Sequence, residues 1–311
     1  MSHHVLHIFQ HGAFIGRERG FLICRPPEQE ERRLPLDDIR AVVVAARGVT
    51  LGASALSALL ERDAIILHCD DHYQPCGWSC PINRVTDLSA FEKQIRQPAQ
   101  LNAKLWKQML RSKTENQVRV LATLGIRSPR LALSLQKNEI NEADCARHYW
   151  SLFFPAISYG KTRRNEKEES HPNLFLNYGY AVLAAICHRG IIVHGLLPQI
   201  GVHHKPRYRS VPLVYDLMEA FRPMVDFLLA EFLRDNVSPD LRAWAKKVGG
   251  GLKDFRVRKG TFTLKLLDAM DASASSLARA YATGKSDLFW LPEIPAEPIP
   301  RRDEPDEQQP V

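Results

Sequence analysis

The sequence has few cysteines and no long apolar run. Six cysteines scattered along 311 residues are too sparse for the disulfide framework that small secreted proteins use. No stretch approaches the roughly 18 consecutive apolar residues that a membrane-spanning helix requires. The first residues, MSHHVLHIFQHG, lack the basic segment, apolar core and small-residue cleavage site of a signal peptide. We therefore expect a cytoplasmic protein with reduced thiols.

Acidic residues are also in deficit. The chain has 35 Asp and Glu against 42 Lys and Arg, a formal net charge of +7. Clustered positive charge favours polyanionic partners, because Lys and Arg release counterions when they neutralise phosphates. The surplus alone identifies no partner, but it keeps nucleic acid among the candidates.

The spacing of apolar residues changes near residue 84. Before it, short β-branched runs between turn signals, such as HVLHIF, GFLICR and DAIILHCD, predict strands, with one helix in ASALSALLER. After it, helical periodicity dominates. The sequence therefore predicts an α+β protein with a small β-rich N-terminal domain at 1–84, a linker at 85–95 and a larger all-α catalytic domain at 96–290. The residues 291–311, rich in proline and charge, predict a disordered tail.

A carboxylate stands at the start of one amphipathic helix. In NEADCARHYWSLFF, helical spacing puts Glu142 on one stripe with Tyr149 and Phe153, so the carboxylate would border the packed face. A solvated glutamate stabilised by the helix N-terminus fits the same pattern. The segment by itself leaves both interpretations open.

A second polar segment is the loop IGVHHKPRYRS. Two histidines follow a glycine there and precede Lys205, Arg207 and Arg209. Such a loop is commonly an ordinary surface feature. It could instead offer one neutral imidazole to a metal and its cations to a phosphate backbone.

The loop leads into SVPLVYDLMEAFRPMVDFLLAEFLR, which predicts one long helix with Pro212 in its first turn and a kink at Pro223. Asp216 and Glu219 lie three residues apart on a face separate from the apolar stripe. Paired carboxylates are common on exposed helices, but here an imidazole loop leads directly into them.

Together, Glu142, His204 and Glu219 would supply two carboxylates and one imidazole, a ligand set that suits Mg²⁺ or Mn²⁺. Such a metal can stabilise charge that develops on a phosphoryl group and can orient an attacking hydroxyl.

Three segments in combination resemble a known family. NEADCARHYWSLFF, FLNYGYAVLAAICHRGIIVHGLLPQIGVHH and YDLMEAFRPMVD occur in this order, and most of the chain resembles the CRISPR-associated adaptation integrases, above all their type II branch. The resemblance implies the same three residues as the chemistry does: a catalytic metal triad of Glu142, His204 and Glu219 that binds Mg²⁺ or Mn²⁺. The candidate supporting residues are Asp216, Asn177 and Arg222.

The resemblance also implies a reaction and its partners. It implies a homodimer that binds double-stranded DNA and forms a heterohexamer with a small ferredoxin-like protein. A protospacer 3′-hydroxyl would attack a phosphodiester at the CRISPR repeat boundary, a transesterification that needs no ATP. Two alternatives remain open: a metal-dependent nuclease for branched DNA, and a non-catalytic scaffold that binds DNA ends. The candidate DNA-binding residues are Lys161, Arg163, Arg164, Lys205, Arg207 and Arg209.

Overall fold

A β-rich N-terminal part is joined to a larger helical part. The computed structural model describes residues 4–27, 29–70, 75–82, 88–96, 98–160, 162–166, 168, 171–205, 211–236 and 238–295. Within these residues the strands are β1 (His4–Ile8), β2 (Phe14–Glu18), β3 (Phe21–Arg25), β4 (Arg32–Pro35), β5 (Ile39–Val44), β6 (Thr50–Leu51), β7 (Ile65–Cys69), β8 (Pro75–Ser79), β9 (Arg256–Lys259) and β10 (Phe262–Lys265). The helices are α1 (Ala53–Leu60), α2 (Ser89–Ile95), α3 (Ala99–Thr123), α4 (Pro129–Lys137), α5 (Glu142–Ala156), α6 (Asn173–Val193), α7 (Pro212–Met218), α8 (Arg222–Asp235), α9 (Leu241–Asp254) and α10 (Leu266–Thr283). The predicted fold class is confirmed.

The N-terminal part contains two sheets. In one, the strand order is β1-β5-β7-β8, with β1, β5 and β7 parallel and β8 antiparallel at the edge. In the other, the order is β4-β3-β2-β6. Strand β5 is buried on both faces: Val42 and Val44 join the core shared with α1 and the second sheet, whereas Ala41 and Val43 join the core of the helical part. Because side chains alternate along a strand, this one sheet connects the two parts of the chain.

Helix α6 is the central helix of the C-terminal part. It is long and apolar enough to cross a membrane, but 83% of its apolar window is buried inside the chain. Its residues pack against β5, β7, α7, α8, α9 and α10. The helix is therefore the core of the helical part, and the site described below is built around it.

Three details of the described structure differ from the predicted division of the chain. Residues 89–95 of the predicted linker form α2, because Ala90 and Gln94 make a buried face that packs against α10. The predicted all-α domain contains the hairpin of β9 and β10, with Gly260 at a positive φ in its turn. The predicted tail starts too early, since Ile294 is buried and its backbone N–H bonds Asn116. The remaining tail residues, 296–311, lie outside the described residues.

The predicted long helix is also wrong, because it is divided in two. Helix α7 ends at Met218, and α8 begins at Arg222 with Pro223 in its first turn. Proline lacks the N–H that would continue the helix and its ring suits a helix start, so the expected kink becomes a full break. Glu219 lies in this break, where its side chain can turn toward α3 and α5.

Candidate metal-binding active site

The structure brings Glu142 next to a lysine of a different helix. Glu142 is the first residue of α5, which Asn141 caps by accepting a hydrogen bond from the backbone N–H of Asp144 at 3.0 Å. Tyr149, seven residues further along α5, is fully buried and fixes the helix against the core. The Nζ atom of Lys113 donates to Glu142 Oε1 at 3.2 Å. The carboxylate therefore faces α3 and is not a freely solvated helix-end residue.

Glu219 is a buried carboxylate with a cation at each oxygen. Its side chain is 5% exposed, with Lys113 Nζ 2.5 Å from Oε2 and Arg222 Nη1 3.2 Å from Oε1. The short contact of Oε2 with the ammonium is that of a buried ion pair. Burial by itself would raise the pKa of Glu219, but the charges of Arg222 and Lys113 outweigh it and hold the pKa below its ordinary value.

His204 is oriented by a buried aspartate. Its Nδ1 atom lies 2.5 Å from Asp216 Oδ1, and Asp216 Oδ2 accepts the backbone N–H of His203 at 2.9 Å. A carboxylate at one ring nitrogen leaves the other, Nε2, for a ligand, which is how protein carboxylates orient metal-binding histidines. The hydrogen bond to Asp216 is the main reason that the pKa of His204 is raised, and the charges of Glu142 and Glu219 contribute as well. The three predicted residues therefore share one electrostatic environment.

The backbone before His204 admits only glycine at one position. A Cβ atom on Gly201 would lie 2.4 Å from the carbonyl oxygen of His204 and 2.8 Å from Asp216 Oδ2. One atom belongs to the backbone of the loop and the other to the aspartate that binds His204, so any side chain at this position would displace the histidine or its aspartate. The glycine that precedes the two histidines in the sequence is thus required by the tight return of the loop.

Helix α2 holds the same loop at its other end. Gln94 is fully buried, and its Nε2 donates to the carbonyl oxygens of Leu197 at 2.9 Å and Ile200 at 2.7 Å. Its Oε1 accepts the backbone N–H of Leu197 at 2.8 Å. A side-chain amide that satisfies three backbone groups fixes a loop that has no regular secondary structure of its own. Sequence reasoning missed Gln94 because it lies in the predicted linker.

An aromatic ring from α3 covers the histidine pair. Trp106 is stacked on His203, with ring centroids 4.3 Å apart and planes 5° from parallel, and it meets His204 edge-on at 5.4 Å. Trp106 and Lys113 are separated by two helical turns of α3 and so project toward the same region. Sequence reasoning found neither of them, because the periodicity of this segment predicts a helix and gives no sign of its partners.

The candidate ligands do not surround one point in the structure, but their chemistry suits a divalent cation. Among the described residues, no three His, Cys, Asp or Glu side chains are close enough together to hold a metal ion as they stand. The ammonium group of Lys113 instead contacts Glu142 and Glu219 at once. Two carboxylates that already attract a cation, with an oriented imidazole beside them, form a donor set that fits Mg²⁺ or Mn²⁺.

The other predicted supporting residues have separate positions. Arg222 and Asp216 contact Glu219 and His204 directly, as described above. Asn177 instead accepts from Arg164 Nη2 at 2.7 Å and donates to the carbonyl oxygen of Glu166 at 3.0 Å. Its amide therefore anchors the segment that precedes α6. The guanidinium of Arg164 is also committed within the chain, since it lies 5.5 Å from the centre of the Tyr180 ring.

The remaining candidate DNA-binding residues are only partly within the described structure. Arg163 and Lys205 are exposed, and Lys205 directly follows His204. Both side chains are accessible to a polyanion, and Lys205 lies beside the candidate ligand His204 in the sequence. The others lie outside the described residues: Lys161, Arg207 and Arg209.

A second buried carboxylate lies one helix further along. Asp226 of α8 accepts hydrogen bonds from the hydroxyl of Tyr149 at 2.9 Å and from that of Tyr180 at 2.5 Å. Burial raises the pKa of Asp226 to about 6, although both hydrogen bonds act in the opposite direction. The aspartate links α5, α6 and α8 behind the site. Sequence reasoning assigned it no role.

Comparison with known proteins gives consistent matches along the chain. Residues 6–241 match the family described as CRISPR associated protein Cas1. The CRISPR-associated endonuclease Cas1 of Neisseria meningitidis serogroup C (strain 8013) is 26% identical over 296 residues, which cover 92% of this chain and 95% of that protein.

Solved structures show the same fold. A casposase bound to an integration product has a TM-score of 0.82 and 19% identity, covering 96% of this chain and 97% of its own. A chain of a Cas6-RT-Cas1–Cas2 complex matches with a TM-score of 0.71 and 17% identity. The match covers 95% of this chain and 36% of the chain in that complex. At such identities the likeness concerns the fold alone.

Proposed function

The chain belongs to the family of the CRISPR-associated protein Cas1, and we propose that it is a metal-dependent DNA integrase and endonuclease of CRISPR adaptation. In the proposed reaction it joins the 3′-hydroxyl ends of a protospacer to the CRISPR repeat. One observation carries the proposal: Glu142 and Glu219, from distant parts of the sequence, meet around one positive charge beside His204. The resemblance and the chemistry thus converge on the same residues.

The proposed reaction is a phosphodiester exchange. The protospacer 3′-oxygen forms a new P–O bond, the P–O bond at the repeat boundary breaks, and the proton lost by the hydroxyl balances the one gained by the leaving oxygen. One phosphodiester is made for each one broken, so no ATP is needed. A divalent ion held by Glu142, His204 and Glu219 would stabilise charge on the phosphoryl group and orient the attacking hydroxyl.

Residues around the three ligands prepare them for this task. Asp216 fixes the ring of His204 by its 2.5 Å contact with Nδ1 and leaves Nε2 available. Arg222 keeps Glu219 ionised despite its burial. Exposed Lys205 and Arg163 would contact DNA phosphates, together with Arg164, Lys161, Arg207 and Arg209.

The proposal includes assembly partners. We infer a cytoplasmic homodimer that acts on double-stranded protospacer and repeat DNA and binds a small ferredoxin-like protein in a heterohexamer. The fold shared with a chain of the Cas1–Cas2 complex supports this, as does the surplus of positive charge.

The test is integration of a labelled duplex into a plasmid that carries a CRISPR repeat, with the small partner protein and Mg²⁺ or Mn²⁺. Glu142→Gln keeps the size of the side chain but removes the anionic oxygen, so joining should be abolished, as it should be by EDTA. Glu139→Gln is the matched control, because Glu139 is exposed three residues earlier and belongs to no site.

The products separate the alternatives. Metal-dependent cleavage of branched DNA without any joining would favour the nuclease. Joining at the wild-type rate by Glu142→Gln and Glu219→Gln would contradict the catalytic assignment, and DNA-end binding without any reaction would favour the scaffold.

A further inference from the structure

Lys113 is the least expected residue of the site. It lies in the middle of α3 with an 11% exposed side chain, and its ammonium group is 3.2 Å from Glu142 Oε1 and 2.5 Å from Glu219 Oε2. A buried ammonium is costly unless it is paired, and two carboxylates that face one position repel each other unless a cation separates them. One lysine meets both requirements at once.

The two contacts of Lys113 are unequal. Glu219 is buried and has Arg222 as a second cation, whereas Glu142 is 35% exposed and lies farther from the ammonium. The contact with Glu142 is thus the one that can open at lower cost, toward solvent. A lysine suits such an exchange, because its point charge is carried on a flexible stem and does not bind a carboxylate in the fixed two-pronged geometry of arginine.

We propose that Lys113 is a resident counter-cation of the metal site, which pairs with Glu142 and Glu219 at once and is displaced from them by the divalent ion. The inference rests on the proposed function. The ammonium and a metal ion compete for the same oxygens, and their like charges repel at such short distances. Lys113 is therefore a positioning residue that stabilises the two carboxylates against their mutual repulsion and lowers their affinity for metal.

The test measures metal binding directly. Mn²⁺ titrations of the full-length chain, with free Mn²⁺ followed by electron paramagnetic resonance, compare wild type with Lys113→Met. Methionine keeps the unbranched shape without the charge, so Mn²⁺ should bind roughly tenfold or more tightly, as expected when one like charge near 4 Å is removed from a partly hydrated site. Thermal unfolding in EDTA should occur at a lower temperature than in wild type, and saturating Mn²⁺ should raise it by a larger amount.

Two controls make the outcome specific. Lys107→Met, on the exposed face of the same helix, should leave Mn²⁺ affinity unchanged. Glu219→Gln should abolish binding. If wild type binds Mn²⁺ through Glu219 but Lys113→Met binds it equally or less tightly, the counter-cation proposal fails and the proposed function stands. If neither wild type nor Lys113→Met binds Mn²⁺, both fail.

A measurement on wild type covers the case in which Lys113→Met does not fold. An N-hydroxysuccinimide ester acetylates free amines, and mass spectrometry of peptides reports the extent at each lysine. Displacement predicts faster acetylation of Lys113 when Mn²⁺ is added, with Lys107 unchanged. Equal or slower acetylation of Lys113 would overturn the proposal.

Discussion

Two buried carboxylates, Glu219 and Asp226, lie seven residues apart and have opposite surroundings. Glu219 faces the cations Lys113 and Arg222, and its pKa is lowered. Asp226 accepts hydrogen bonds from two tyrosine hydroxyls, and burial raises its pKa to about 6. Burial is nearly complete in both, so burial does not determine which carboxylate stays ionised; the partners do.

The difference assigns different tasks to the two residues. The charge of Glu219 is matched by groups that can move, in particular the lysine ammonium, so a different cation can take their place. Asp226 is held by two phenols on helices α5 and α6, which no ligand from solvent can replace without opening the core. These surroundings fit the proposed role of Glu219 as a metal ligand, whereas Asp226 joins the helices α5, α6 and α8.

The strongest test of this contrast is to neutralise each carboxylate in turn. Glu219→Gln should reduce integration by about a thousandfold or more, because several kcal/mol of metal-dependent stabilisation are lost at 1.36 kcal/mol per factor of ten. Asp226→Asn, the matched change in the second cluster, should stay within about tenfold of wild type per folded molecule, since it removes no ligand. Initial rates in the plasmid assay, corrected for folded fraction, measure both. Equal losses of integration rate would contradict the different roles assigned to Glu219 and Asp226.

The next test concerns how the free energy of unfolding depends on pH through Asp226. The pKa of Asp226 rises from its ordinary value of 3.8 to about 6 on folding. Between these values the folded chain keeps a proton that the unfolded chain has lost, so the free energy of unfolding falls as pH rises and the penalty is complete above about pH 6. At about 1.4 kcal/mol per pKa unit, the penalty is on the order of 3 kcal/mol.

Urea unfolding of wild type and Asp226→Asn from pH 4 to pH 8 isolates this effect, because other titrating groups are common to both. The stability of wild type relative to the variant should fall through the window from about pH 4 to pH 6 and then level off. A relative stability that rises with pH would mean that the tyrosines and nearby arginines outweigh burial.

The sequence singled out the three candidate ligands but not the residues around them. Glu142, His204 and Glu219 carry local signals: a helix start, a glycine before two histidines, and two carboxylates three residues apart after that loop. Lys113 has no such signal, because its partner Glu142 is 29 residues away and the contact exists only once α3 and α5 pack. The same holds for Gln94, whose partner Leu197 is 103 residues away. Such contacts depend on tertiary packing, which helical periodicity does not encode.

The fold, too, was predictable where the signal for an element lies within a single segment of the sequence. The runs HVLHIF, GFLICR and DAIILHCD contain β1, β3 and β7, and ASALSALLER contains α1, because each of these elements has its signal within one segment. The hairpin at 256–265 was missed because its short, basic strands lie among helices. The start of the tail was misplaced because Ile294 packs into the core of the helical part and its backbone N–H bonds Asn116, a contact that the local composition does not reveal.

A smaller effect is expected from the residue that orients His204. Asp216→Asn should weaken Mn²⁺ binding by about 10- to 100-fold, the usual cost of losing the carboxylate behind a metal-binding histidine. The amide can serve His204 or the N–H of His203 but not both in the present geometry, because one of its ends is a donor. Titration with Mn²⁺ measures the change. Unaltered affinity would mean that Asp216 only shapes the loop.

The smallest effect should come from Trp106, whose described contacts with the site are ring contacts, stacked on His203 and edge-on to His204. Asp226 is bound by aromatic side chains through hydrogen bonds, whereas Trp106 covers His203 at 4.3 Å without forming any bond to a ligand. An aromatic pair contributes about 0.5–1.5 kcal/mol beyond its buried area, and Asp216, Gly201 and Gln94 still fix the loop, so Trp106→Leu should weaken Mn²⁺ binding by about three- to tenfold. Trp106→Phe, which keeps a ring to stack, should lose less. A larger loss for Trp106→Leu than for Asp216→Asn would show that stacking holds the imidazole in place more than the buried carboxylate does.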